Sequence, residues 1–201
     1  MQVVGVLALS YLIGAFPSGL LVVKAFLGVD IRQYGSGNVG TINVFRLGGV
    51  PLAVVVLAAD VLKGLLAVEL AQYLGLSPLL VVAAGLLAIT GHNWSVFLSF
   101  GGGKGVATTV GVLLGLAAGV GLLVAATWLL VVLLTRISSL GSMSGVALSP
   151  LYMWLLGQPP EFFWFAVIAA VFVVYRHKEN IRRLLEGKEL KINEKIDTGK
   201  K

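Results

Sequence analysis

The sequence has no cysteine, which excludes disulfides, thiolate metal ligands and a thioester intermediate. Charge is nearly as scarce. Only 12% of the 201 residues are charged, with 9 acids against 15 Lys and Arg. There are two histidines, His92 and His177, and a single acid, Asp60, sits deep inside an apolar run. So thin a supply of ligands makes a dedicated metal centre unexpected. Internal repeats, linkers and low-complexity segments are also missing, so residues 1–201 read as one domain.

Apolar residues fill the space that charge vacates. They make up 58% of the chain, in long runs parted by short polar breaks, the signature of a helical integral membrane protein. The first run covers residues 3–23. No basic region precedes it, and Lys24 and Arg32 follow it, the reverse of a signal peptide, so its N-terminus is expected outside. Further runs cover residues 50–70, 78–90, 106–135, 143–156 and 162–175.

The run 106–135 has two readings. One long helix would put Lys104 and Arg136 on opposite sides of the membrane. Two short helices turning near Gly119-Val120-Gly121 put Lys104, Arg136 and the basic tail, residues 176–201, all inside. The second reading leaves every Lys and Arg except Lys63 cytoplasmic and only Glu69 and Glu161 outside, as the positive-inside rule asks. The expected architecture is therefore an all-α bundle of seven transmembrane helices, N-terminus outside and C-terminus cytoplasmic. Helices of about 15 residues reach only ~22 Å against a ~30 Å core, so the two in this run are expected to be short. Gly111, Gly115 and Gly119, four apart, should let a neighbouring helix approach one face. The tail alternates basic residues with Ile181, Leu184 and Leu185 and is expected on the anionic inner surface.

This orientation gathers the polar segments on one face. "GSGNVGTINVFR" (35–46) can turn successive backbone N–H groups onto one anion. Ser36 and Thr41 add hydroxyls, Asn38 and Asn43 amides, and Arg46 a phosphate-matching fork. The bland alternative is a flexible turn. "GHNWSVFLSFGGGKGVATT" (91–109) leads into a helix whose N-terminal amides favour anions, with Lys104 adding charge. Gly105 stands where a Walker A loop has Ser or Thr, so nucleotide hydrolysis is not implied. His92 reads as a cap or orienting group, and Phe97 denies it a His-x4-Asp motif. In "HKENIRRLLEGKE" (177–189), His177, Asn180 and Arg183 or Arg182 can share a helix face. Asp60 and Lys63, three apart in a span, read as a buried ion pair. Ser138, Ser139 and Ser142 read first as caps for the helix that begins there.

Taken in order, these segments resemble the PlsY-type bacterial glycerol-3-phosphate acyltransferases, which use acyl phosphate. The likeness covers about residues 3–192. "GSGNVGTINVFR" resembles the first family motif, "GHNWSVFLSFGGGKGVAT" the second and "HKENIRRLLEGKE" the third; "DVLKG" (60–64) and "SLGS" (139–142) also match. Ile42, Ser95 and Gly101 depart from the usual Thr, Pro and Lys, which leaves Lys104 as the lone ammonium of its loop.

The resemblance implies transfer of an acyl group from acyl phosphate to sn-glycerol 3-phosphate at the cytoplasmic face of the bacterial inner membrane. No cofactor, metal or nucleic acid is implied; the partners are the two substrates and membrane lipid. Ser36, Asn38, Lys104, His177 and Asn180 are expected at the reacting centre. Gly35, Gly37, Gly40, Thr41, Asn43, Arg46, His92, Gly102, Gly103, Gly105 and Ser142 are expected to bind substrate. The base is His177, His92 or the donor phosphate. The donor phosphate is preferred, because neither histidine has a carboxylate partner evident in the sequence. A carrier for a phosphorylated metabolite is the alternative, but it needs more midplane polarity than Asp60 and Lys63 supply. A CDP-alcohol phosphotransferase needs clustered aspartates, and only Asp30 and Asp60 precede the tail.

Overall fold

The computed structural model describes residues 1–194; the end of the basic tail, 195–201, lies outside the described residues. Regular structure among them is helical. The first apolar run forms α1 (Gln2–Ala15) and α2 (Ser18–Leu27), broken at Pro17, which has no N–H to return to the ladder. A loop leads to α3 (Thr41–Tyr73). This helix breaks at Gly49, whose φ of 77° and ψ of −170° suit glycine alone, and Pro51 follows. The break detaches a short first piece bearing Thr41, Asn43 and Arg46 from the long apolar remainder. Pro78 opens α4 (Pro78–Asn93) and Pro160 opens α8 (Pro160–Arg176), both at the helix start where a missing N–H costs nothing. Between them lie α5 (Val106–Leu116), α6 (Ala118–Thr135) and α7 (Ser138–Leu155). A short α9 (Lys178–Leu185) follows α8 at a bend of 59°.

Three segments are long and apolar enough to cross a membrane on length and composition alone: Gln2–Leu27, Thr41–Tyr73 and Ala118–Thr135. Joining α8 to α9 across their bend makes a fourth. Leu130, Leu133, Leu134 and Trp164 are exposed, an apolar exterior that suits lipid.

The run 106–135 does divide, at Ala117 rather than at the expected Gly119–Gly121. In one straight helix, residues 114 and 121 would lie about 10 Å apart. Here a Cβ on Gly121 would come 2.8 Å from the Leu114 nitrogen, so α6 doubles back along α5. The three-glycine face divides with it. Gly111 and Gly115 press α5 onto α3, against Val61 and Val68, while Gly119 lies beyond the turn and faces Leu156. On α3, Gly64 answers by admitting Val112.

A core centred on Val68, Ile89, Val112, Met153 and Phe165 joins α3, α4, α5, α7 and α8. A smaller cluster of Val23, Ile31, Val44 and Val56 fixes the loop before α3. α6 packs on α5 and α7 without extensive contact to α3, leaving a cleft between α3 and α6 with α5 as its floor.

The described part of the tail folds back on the bundle. After α9 the chain turns back over the bundle end, and the Ile192 N–H reaches the Arg136 carbonyl at 2.8 Å.

Candidate active site

Where the loop before α3, the loop before α5, the start of α7 and the folded-back tail meet, they enclose a cavity of about 470 Å³. Its polar end is lined by Ser36, Asn38, Gly40, Thr41, Asn43, Arg46, His92, Lys104, Gly105, Ser142, His177 and Asn180. Gly35, Gly37, Gly102 and Gly103, also expected at the site, do not line it.

The expected nest of backbone donors is largely closed by internal bonds. The Gly37 amide donates to Tyr34 O, that of Gly40 to Asn38 Oδ1, that of Ser36 to Asn43 Oδ1 and that of Asn38 to Ser36 Oγ. Gly37 is a turn residue at φ 68°. Asn43 is buried, and its NH2 serves the Asn38, Tyr34 and Ile31 carbonyls at 2.9, 3.0 and 3.5 Å. It is the organiser of the loop, with no donor left for a ligand. Among the described residues, donors remain at the helix start: the Thr41 and Ile42 amides have no acceptor, and the buried Thr41 Oγ1 has no partner. Position 42, where threonine is usual, is apolar, and the hydroxyl stands next to it at Thr41.

Arg46 lies at the tail. Its Nη2 donates to Leu190 O and Lys191 O at 3.0 and 3.1 Å, while its buried Nε has no partner among the described residues. Opposite it, Lys104 Nζ donates to Asn180 Oδ1 at 2.5 Å. Asn180 Nδ2 donates to Glu189 Oε1, which also accepts from Ser139 Oγ at 2.7 Å; Arg183 Nε reaches Glu189 Oε2 at 2.7 Å. Ser139 is thus a tail anchor; α7 has no side-chain cap. Of the two arginines on the third motif, Arg183 faces this cluster and Arg182 turns outward to Glu186. Burial opposes ionisation of Glu189, but the bonds from Asn180, Ser139 and Arg183 outweigh it and hold its pKa below the usual value. Burial and then the nearby Arg183 push Lys104 down to about 8. It keeps two further N–H donors for a ligand.

His177 Nδ1 lies 2.7 Å from the Val173 carbonyl, which only accepts, so Nδ1 donates and Nε2 is the free acceptor. Burial, followed by the Lys104 charge, lowers its pKa to about 4, so it is neutral at pH 7. His92 does have a carboxylate beside it, contrary to expectation: its Nδ1 lies 3.7 Å from Asp60 Oδ1. Asp60 pairs with Lys63 Nζ at 2.6 Å, and Ser18, at the start of α2, bonds both. The Nε2 edge of the His92 ring meets Gly103, where an added methyl would overlap it. Gly102 and Gly103 are therefore glycines because they pass close over His92. Arg176, which sequence reasoning passed over, grips the carbonyls of both. An interfacial arginine beside His177 was the only signal for it.

Below the polar end, the cavity continues along the α3–α6 cleft, past Leu57, Val61, Val110, Leu114, Ala125 and Trp128. Leu57 and Ala125 line it and are also exposed, so it opens sideways to the exterior.

A family model described as glycerol-3-phosphate acyltransferase matches residues 4–187. A curated glycerol-3-phosphate acyltransferase of Rubrobacter xylanophilus is 45% identical over 91% of this chain and 92% of its own. A glycerol-3-phosphate acyltransferase 2 of Moorella thermoacetica is 47% identical over 94% of this chain and 97% of its own. Among solved structures, the glycerol 3-phosphate form of PlsY (YgiH), an integral membrane glycerol 3-phosphate acyltransferase, superposes with a TM-score of 0.90 at 35% identity. It covers 95% of this chain and 96% of that one. Its lysophosphatidic acid form gives 0.88 at 33% identity, over 95% of each chain.

Proposed function

The chain belongs to the glycerol-3-phosphate acyltransferase family, membrane enzymes of phospholipid synthesis, and from that premise we propose its donor, acceptor and site roles. It moves a fatty acyl group from acyl phosphate to the 1-hydroxyl of sn-glycerol 3-phosphate, giving lysophosphatidic acid and inorganic phosphate. The observation that carries this reading is one cavity with two characters. Cations, hydroxyls and amides crowd one end, and an apolar cleft open to the exterior forms the other. A lipid with a phosphate head and a small phosphate would meet there.

Glycerol 3-phosphate, the substrate with which the PlsY structure was solved, is assigned to Lys104, Arg46, Ser142, Asn180 and His177. The Lys104 ammonium and the Arg46 guanidinium, both lining the polar end of the cavity, suit its phosphate. The free Nε2 of His177 suits a hydroxyl donor. The donor phosphate is assigned to Ser36, Asn38 and Thr41, with the first amides of α3 taking the part first given to the nest. Its acyl chain lies in the α3–α6 cleft.

The mixed anhydride is already activated, so no covalent enzyme intermediate is required. The glycerol hydroxyl oxygen attacks the carbonyl carbon, the bond from that carbon to the phosphate oxygen breaks, and the departing phosphate takes the hydroxyl proton. A histidine with a pKa near 4 is a poor base at pH 7, and the Nε2 edge of His92 packs against Gly103. The site then contributes positioning and charge stabilisation.

Seven crossings belong to the same proposal, with the N-terminus outside and the site at the cytoplasmic face of the bacterial inner membrane. Lys104, Arg136, Arg176 and the tail share one end of the bundle, and α6 doubles back along α5. Phosphate release from acyl phosphate by purified protein, with and without glycerol 3-phosphate, tests the reaction. Release that depends on glycerol 3-phosphate is expected. Absence of release, with uptake into protein-containing vesicles, would favour the carrier.

A further inference from the structure

Arg176, at the end of α8, has no ion-pair partner among the described residues. Its guanidinium is spent on a loop. Nη2 and Nε donate to Gly103 O at 2.7 and 3.1 Å, and Nη2 also reaches Gly102 O at 3.3 Å. The guanidinium carbon lies over Trp94, 5.2 Å from the ring centre, and Phe172 meets Trp94 edge-on. From the opposite side, His92 O accepts the Gly103 N–H at 3.0 Å, and the Nε2 edge of the His92 ring fills the place a Gly103 side chain would take. Two successive glycines, the residues with the most backbone freedom, are clamped between α4 and α8. The next residue is Lys104.

We propose that Arg176 is a positioning residue for the phosphate site: its fork holds the Gly102 and Gly103 peptides and thereby sets where Lys104 and the first turn of α5 meet the substrate. The peptide is planar and trans, so the carbonyl of Gly103 and the N–H of Lys104 point in opposite directions. Fixing one toward Arg176 fixes the other away from it. Lysine cannot replace this grip, because a single ammonium lacks the planar fork that reaches two carbonyls from over an indole. An arginine serving only as a charged interfacial anchor would tolerate lysine. The proposal rests on the reading that Lys104 takes the phosphate of glycerol 3-phosphate.

The test compares Arg176→Lys and Arg176→Gln with wild type in full-length protein. Readouts are the KM for each substrate, kcat, glycerol 3-phosphate binding by calorimetry, and thermal unfolding in detergent. Both variants should raise the KM and the Kd for glycerol 3-phosphate roughly tenfold to hundredfold, with the acyl phosphate KM within about twofold. Arg176→Ala should regain acceptor affinity when methylguanidinium is added. Wild-type acceptor affinity in Arg176→Lys would overturn the proposal in favour of a charged anchor. An equal loss for both substrates together with a lowered Tm would overturn it in favour of general packing. Failure of wild type itself to bind glycerol 3-phosphate would sink the substrate reading, which is distinct from a loss confined to the variants.

Discussion

Gly103→Ala is the sharpest single perturbation of the phosphate loop. The new methyl would lie 2.8 Å from His92 Cδ2 and 2.9 Å from Cε1, and nearer still to Nε2. Ordinary contact begins at 3.4 Å, so even the carbons are 0.6 and 0.5 Å too close (3.4 − 2.8 and 3.4 − 2.9). The ring cannot easily yield, because it is 8% exposed and its far side faces Asp60. The loop must retreat instead, by about 1 Å, and it carries Lys104 with it. Misplacing a binding group by that much costs roughly a hundredfold, or about 2.7 kcal/mol in kcat/KM. Overpacking of this kind also costs about 1–3 kcal/mol of stability. Phosphate release kinetics and thermal unfolding in detergent measure the two effects. His92→Ala removes the obstructing ring but keeps the backbone carbonyl that receives the Gly103 N–H. The double variant should therefore recover at least about tenfold of the Gly103→Ala loss, a strong non-additivity. A Gly103→Ala protein within twofold of wild type would refute the argument, as would a double variant worse than either single one.

Lys104→Ala should raise the glycerol 3-phosphate KM about tenfold to hundredfold, the worth of a charge-assisted contact of ~1.5–3 kcal/mol; steady-state kinetics with varied acceptor measure it. With Lys104 near 8, kcat/KM should fall as pH rises through about 8, because the ammonium is lost, and Lys104→Arg should abolish that limb. The sign for stability is opposite: a lysine lowered in the fold disfavours the protonated state, so stability should rise between about 8 and the unfolded value near 10.4. Ala118→Cys, exposed at the α5–α6 turn, should react with an impermeant maleimide from the side opposite to Arg136→Cys; reaction of both from one side would discard the seven-crossing topology. Val110→Phe on the floor of the cleft should slow long-chain donors about tenfold more than short ones, read as kcat/KM across an acyl phosphate series, and an equal effect on all chain lengths would move the acyl chain elsewhere.

Local composition determined a good deal of this protein by itself. Apolar runs of sufficient length must form helices wherever water is absent, since no other single segment satisfies its own backbone. Proline and glycine punctuation marked several helix starts. Scarce cations placed in three polar breaks pointed to one end of the bundle, and the Asp60–Lys63 pair followed from a spacing of three. Only the tertiary structure decided which polar atoms are still free. The glycine-rich first motif reads as donors, but the Ser36 amide is taken by Asn43 Oδ1, that of Gly37 by Tyr34 O and that of Gly40 by Asn38 Oδ1. Arg46 finds its carbonyls 144 and 145 residues away, in the tail. His92 acquires Asp60, and Arg176 acquires the Gly102 and Gly103 carbonyls 74 and 73 residues back, by helix packing alone. A residue's chemical capability is carried in its own side chain. Whether that capability is spent on the fold or left for a ligand depends on which distant backbone groups packing brings within about 3 Å, and no local pattern encodes that distance.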